Sequence, residues 1–229
     1  MTILPPAEAR ARAIQKAFFA SLESSDRRTD PYRHWLLFDV LPEDAAREIV
    51  ALPIDLPEGR DFSMGRRETN NASRTYFDQT NRGRFAVVRA LADVFQAPET
   101  VAFIERETSA ALAGTNLRIE FCQDVDGFWL EPHTDIGVKR FTMSLYLCEG
   151  DGAAELGTDI YRTDKTWFGR APSPFNSAMI FVPSKETFHG FAAKKIAGVR
   201  KSLIINYVTE EWRNRHELAF PDEPVRSAG

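Results

Sequence analysis

Phe141-Thr142-Met143-Ser144-Leu145-Tyr146-Leu147-Cys148 sets Phe141, Met143, Leu145 and Leu147 in alternation with Thr142, Ser144, Tyr146 and Cys148. Side chains on an extended strand point to opposite faces in turn, so a period of two predicts a half-buried strand. The pattern extends outward in both directions. Upstream, Leu117-Arg118-Ile119-Glu120-Phe121-Cys122 alternates in the same way, and Asp124-Val125-Asp126-Gly127 reads as a turn. Downstream, Glu149-Gly150-Asp151-Gly152 turns the chain, Ala178–Val182 is a short apolar strand ended by Pro183, and Ser202–Val208 is another. Many short strands separated by turn residues predict a sandwich or jelly roll.

The first half of the chain has a different period. Ala7, Ala11, Ile14, Phe18 and Leu22, widened by Phe19, form one stripe at helical spacing over residues 7–23. His34–Phe38 reads as a buried strand, and Leu41-Pro42-Glu43-Asp44 starts a short helix that ends before Pro53. Phe85, Val88, Ala92 and Phe95 mark another helix. Val101, Ile104, Thr108 and Leu112 mark one more, with Gly114 as its stop. Residues 53–84 keep no period. They carry Arg60, Arg66, Arg67, Arg74, Arg82 and Arg84, with Asn70, Asn71 and Ser73 between them. A long irregular segment of this kind is expected to be a binding loop or lid. Its arginines, with Arg66, Arg67, Asn71 and Arg74 as candidate substrate residues, predict an anionic group on the substrate.

One domain over residues 1–229 is therefore expected. In it, 1–116 supply mostly helical support and the basic loop, 117–208 form the β core, and 209–229 are a C-terminal tail. A hydrophobic fraction of 43% is enough for a sizeable core, and a net charge of −4 gives no drive toward nucleic acid or an anionic membrane. No apolar run approaches the ~18–20 residues that cross a bilayer. The N-terminal stretch lacks the basic start and apolar block of a secretory signal, so a cytoplasmic protein is expected. Cys122 and Cys148 fall in apolar runs and are expected as buried free thiols.

Chemistry concentrates around Glu131-Pro132-His133-Thr134-Asp135. His133 and Asp135 are two apart and can offer an imidazole and a carboxylate to one metal ion. A second histidine would complete a two-histidine, one-carboxylate facial set, which suits non-haem Fe(II) and leaves coordination positions open. Of the four histidines, His34 sits in an apolar strand and is expected to be structural, and His216 lies in a charged segment and is expected to be solvated. His189 follows a buried strand, and Arg200 comes eleven residues later at the start of the next one. Arg200 could take a carboxylate by a forked hydrogen bond, with Ser202 as a hydroxyl donor on the same face.

In this order the chain resembles the 2-oxoglutarate- and Fe(II)-dependent dioxygenases, in the prolyl-hydroxylase-like branch. The resemblance rests on His133-x-Asp135, the strand Phe141–Leu147, Glu155-Leu156, Ser177–Phe181, His189 and Arg200-x-Ser202, and covers roughly residues 117–208. It implies a double-stranded β-helix core, cupin-like in shape. His133, Asp135 and His189 would bind Fe(II). Arg200, Ser202 and Tyr146 would hold the distal carboxylate of 2-oxoglutarate, with Thr142 lining the same pocket. The activity implied is decarboxylation of 2-oxoglutarate to succinate, coupled through O2 to hydroxylation or demethylation of a small-molecule or residue-level substrate, with ascorbate as reductant. The sequence departs from the family where many members carry a tyrosine before the His-x-Asp pair; here it reads Phe121-Cys122-Gln123. Two other readings remain at this level: a cupin-type metal enzyme that uses no oxo-acid, and a jelly-roll binding module without catalysis. Arg200 and Ser202 have a task only if a dicarboxylate co-substrate binds, which separates the oxygenase reading from both.

Overall fold

The computed structural model describes residues 7–56, 74–135 and 137–228. Arg66, Arg67 and Asn71 lie outside the described residues. Eleven strands build two antiparallel sheets among those described. The larger sheet has the order β1 (Asp26–Arg28), β2 (His34–Leu37), β9 (Ser177–Phe181), β6 (Lys139–Tyr146), β11 (Arg200–Val208), β4 (Asn116–Asp124) and β3 (Arg74–Tyr76). The smaller has the order β5 (Leu130–His133), β10 (His189–Phe191), β7 (Asp159–Tyr161) and β8 (Trp167–Arg170). With helices packed against the larger sheet, this is the expected jelly roll.

The alternation noted in β4, β6 and β11 sorts side chains between two very different environments. Leu117, Ile119 and Phe121, Phe141, Met143 and Leu145, and Leu203, Ile205 and Tyr207 all face outward into one apolar core. Helices α1 (Ala7–Glu23), α2 (Glu43–Val50), α4 (Ala86–Gln96) and α5 (Pro98–Thr108) close that core with Phe18, Ile49, Leu91 and Ile104. The Phe18 and Phe95 rings meet at 4.9 Å. Burial of one such ring contributes about 3–5 kcal/mol against truncation to alanine, so the helices are held by their stripes more than by propensity. The opposite face of the same strands looks toward the small sheet and is largely polar.

Three expectations change on the structure. The irregular segment 53–84 contains a strand and a helix in its described part: β3 pairs with β4, and α3 (Gln79–Arg84) begins at Asp78, whose carboxylate accepts from the Asn81 N–H at 2.8 Å. Gly83 inside so short a helix hides its period. The helix expected to reach Gly114 stops at Thr108. Ser109 takes a left-handed conformation (φ 63°), and Glu105 Oε1 accepts from the Leu112 and Ala113 N–H groups, turning the chain back. Asp124, read as part of a turn, is the last residue of β4 and is fully buried.

His34 is buried with Nδ1 on the Tyr32 carbonyl, His216 is exposed, and both cysteines are buried and free. No helix among the described residues is long and apolar enough to cross a membrane.

Candidate metal centre

His133 and His189 are direct cross-strand partners on β5 and β10. Cross-strand neighbours on one face bring their side chains together, and the two imidazole rings lie 4.3 Å apart. The next pair is Leu130 with Phe191, so β5 spends one residue more than β10 between the two pairs. This is a bulge, and Pro132, which has no N–H to give a ladder, sits in it. Gly190 makes the close approach possible, because a Cβ there would lie 2.6 Å from the Leu130 carbonyl oxygen. Gly190→Ala should therefore push β10 from β5 and spread the two histidines. We expect about a 10–100-fold loss of Fe(II) affinity, the range found when groups that support ligands are lost. Unchanged affinity in an equilibrium titration would show that the strand contact does not set the site.

Asp135 follows β5 and is buried. Its Oδ1 lies 3.8 Å from His133 Nε2 and its Oδ2 3.6 Å from His189 Nε2. One ligand atom from each of the three residues falls within 4.8 Å of the others. Both histidines are turned the same way. His133 Nδ1 lies 2.9 Å from the Glu131 carbonyl and His189 Nδ1 lies 3.0 Å from the Thr187 carbonyl. A carbonyl only accepts, so each Nδ1 carries a proton, and in the neutral ring Nε2 then keeps its lone pair for a metal. Burial lowers the His189 pKa to about 4, reinforced by the nearby His133, against the opposing pull of Asp135. His189 is therefore neutral at physiological pH, as a ligand must be. The donor set and its orientation fit Fe(II).

Two residues fix the carboxylate. Asp135 Oδ2 accepts from Lys139 Nζ at 2.9 Å and from Thr142 Oγ1 at 3.3 Å, and Thr142 Oγ1 in turn accepts from Asn206 Nδ2 at 2.9 Å. Lys139 was not singled out in the sequence. By strict alternation, residues 139 and 142 should face opposite ways. However, Phe141 pairs with Tyr207 while Lys139 pairs with Val208, so β6 carries an extra residue there. That bulge turns Lys139 to the metal side, and nothing in the sequence marks it.

His133, Asp135 and His189 border a cavity of about 220 Å³ between the sheets, which also includes Arg74, Thr142, Arg200 and Ser202. Arg200 Nη1 donates to Asp124 Oδ2 at 2.6 Å and Nε donates to the Leu156 carbonyl at 2.7 Å. Arg74 Nη1 donates to the other Asp124 oxygen at 2.6 Å. Arg74 thus belongs to a buried ion network, not to an open basic loop. Tyr146 is fully buried and stands one layer behind the cavity wall. Its hydroxyl donates to Thr158 Oγ1 at 2.8 Å, and Thr158 is the residue that lines the space. Cys122, near the place where a family tyrosine was missing, pairs across the strands with Ser202.

The remaining wall comes from beyond β11. Trp212, Asn214 and Glu217 line the cavity, and the following residues run back along β4 through an Arg118–Leu218 bridge. A charged tail gives no sequence sign of this return.

No family model and no curated protein matches the sequence. Solved structures do. A prolyl 4-hydroxylase from Phytophthora capsici matches with a TM-score of 0.54 at 13% identity, over 93% of this chain and 68% of that one. A Pseudomonas putida prolyl-4-hydroxylase matches with a TM-score of 0.54 at 15% identity, over 92% and 99%. An oxidoreductase of the 2OG-Fe(II) oxygenase family from Burkholderia pseudomallei matches with a TM-score of 0.52 at 13% identity, over 100% and 97%. At such identities the likeness concerns the path of the backbone, and by that path the chain has the double-stranded β-helix fold of the prolyl-hydroxylase-like 2OG-Fe(II) oxygenases.

Proposed function

We propose that the protein is an Fe(II)- and 2-oxoglutarate-dependent oxygenase that hydroxylates a substrate bound beside His133. The observation that carries this reading is the meeting of a two-histidine, one-carboxylate cluster and a buried arginine in one cavity. His133, Asp135 and His189 would hold the metal. Bound there, Fe(II) and 2-oxoglutarate supply the chemistry with O2 that side chains lack: decarboxylation to succinate and carbon dioxide, coupled to oxidation of a C–H bond. The protein's share is geometry and dryness. Lys139 and Thr142 hold the Asp135 carboxylate, so Thr142 serves the metal ligand before any co-substrate. Phe128, Leu130 and Phe191 wall off water.

Arg200 takes the distal carboxylate. Its Nη1 and Nε are engaged by Asp124 and Leu156, which aim the guanidinium and leave Nη2 for the ligand. Ser202 and Thr158 add hydroxyl groups. Tyr146 acts at one remove, because its own hydrogen leaves the Thr158 hydroxyl hydrogen free to donate. Ascorbate would serve only to keep the iron reduced, and the buried free thiols suit a reducing cytoplasm.

Arg200→Ala should weaken 2-oxoglutarate binding by about 30-fold or more, since a buried charge-assisted contact contributes about 2–5 kcal/mol when one partner is truncated. Fe(II) affinity should change far less. Calorimetric titration of the metal-loaded variant with 2-oxoglutarate checks this. A wild-type affinity would remove Arg200 from the role.

A further inference from the structure

On the inner face of the large sheet, β6, β11 and β4 lie side by side in register. Thr142, Asn206 and Arg118 form one row, Ser144, Ile204 and Glu120 the next, and Tyr146, Ser202 and Cys122 the third. Arg200 and Asp124 pair beyond them. Each row steps about 7 Å along the strands. Thr142 touches Asp135, so the first row lies at the metal. The cavity therefore has an Arg200 end, used by the co-substrate, and an Arg118 end left for the molecule to be oxidised.

The Arg118 end is fully furnished. The guanidinium lies between the Tyr76 ring at 4.9 Å and the Trp212 ring at 4.6 Å. Its Nε donates to Glu217 Oε2 at 2.6 Å, and its Nη1 is paired with Glu120. Glu217 Oε1 also accepts from Asn214 Nδ2 at 2.9 Å. At this end Glu120 and Glu217 flank the Arg118 guanidinium, and Glu120 Oε2 also lies 3.7 Å from Arg74 Nε.

Charge is balanced over the whole described lining. Its cations are Arg74, Arg118, Lys139 and Arg200. Its anions are Glu120, Asp135 and Glu217, with Asp124 directly behind Arg74 and Arg200. Fe(II) and the 2-oxoglutarate dianion cancel one another, so loading keeps the balance. Among the described residues a substrate with net charge would find no spare counter-charge in this space of low dielectric, which is costly. Trp212, which lines the cavity at the same end, has a buried Nε1 donor without a hydrogen-bond partner. An unspent donor beside Arg118 calls for a ligand that offers an acceptor, as a carboxylate does.

We propose that the substrate is a small net-neutral zwitterion, with its ammonium turned to Glu120 and Glu217 and its carboxylate turned to Arg118. This rests on the oxygenase reading, and it replaces the anion that the arginines of residues 60–84 led us to expect.

The test begins with Fe(II) and 2-oxoglutarate binding, which examines the oxygenase reading by itself. Succinate release is then measured with the common L-α-amino acids, with their N-acetyl forms as anions, with their primary amides as cations, and with nucleoside monophosphates. At least one free amino acid should raise succinate release tenfold or more above the substrate-free rate, with both of its derivatives tenfold weaker. Stimulation confined to the N-acetyl forms or the nucleotides overturns the inference, and so does an absence of stimulation by every zwitterion. Binding to the Mn(II)-loaded protein gives an independent readout. Glu217→Gln should move the ratio of dissociation constants at least tenfold toward the N-acetyl form, and Trp212→Phe should weaken zwitterion binding about threefold to tenfold. Ratios unchanged in both variants would remove this wall from recognition.

Discussion

Asp135→Ala should reduce Fe(II) affinity by more than about 100-fold, beyond the range seen when only a supporting residue is lost. Three reasons combine. The variant removes the one carboxylate of the candidate cluster among the described residues. It leaves Lys139 Nζ, buried and bonded to Asp135 Oδ2 at 2.9 Å, beside the metal position without that carboxylate. It also leaves two imidazoles and the Lys139 ammonium together where the proposed divalent ion would sit. His189→Ala should match it in direction, because the remaining pair no longer forms a facial set. An equilibrium titration with Fe(II) under anaerobic conditions reads both. If either variant kept wild-type affinity, the ligands would have to be sought elsewhere.

The second large effect is on stability. Asp124 is fully buried between Arg74 Nη1 and Arg200 Nη1, at 2.6 Å from each. Burial works against the charge on Arg74, and the Asp124 carboxylate overturns this and holds the pKa above the ordinary arginine value. Asp124→Ala would remove the carboxylate that both guanidinium groups share, with little water to replace it. Breaking a buried pair from one side costs about 3–5 kcal/mol. At this chain length, that is a fall of about 6–20 °C in the unfolding midpoint. The same variant should bind 2-oxoglutarate more weakly, because Arg200 loses its aim. A midpoint within about 2 °C of wild type would show that the network does not carry this weight.

How far the sequence could be read depends on the kind of physics involved. Helix α1 was legible over its full length because its stripe buries against a core, and burial imposes a period. The same is true of β4, β6 and β11, whose outward faces are apolar over residues 117–121, 141–145 and 203–207. The meeting of His133, Asp135 and His189 was legible because their donor atoms suit one metal ion, and the strand pairing brings the two histidines together. Features that depend on register or on distant pairing were not legible. The bulge that turns Lys139 inward and the register that places Arg118 near the metal are properties of two strands at once. Asp124 looked like a turn residue because its partners lie at positions 74 and 200. Arg74 looked like part of an exposed basic loop for the same reason, since nothing local marks a buried counter-ion. The wall formed by Trp212, Asn214 and Glu217 depends on the chain returning along β4 after a polar stretch.

The most direct test of the oxygenase reading is succinate formation from 2-oxoglutarate by the purified protein, with and without Fe(II). It should be run beside Asp135→Ala, with the amino acid panel present. The expected result is succinate that requires both Fe(II) and O2 and disappears in the variant. Succinate formed equally by Asp135→Ala, or no 2-oxoglutarate consumption by a wild-type protein that binds Fe(II) stoichiometrically, would contradict it.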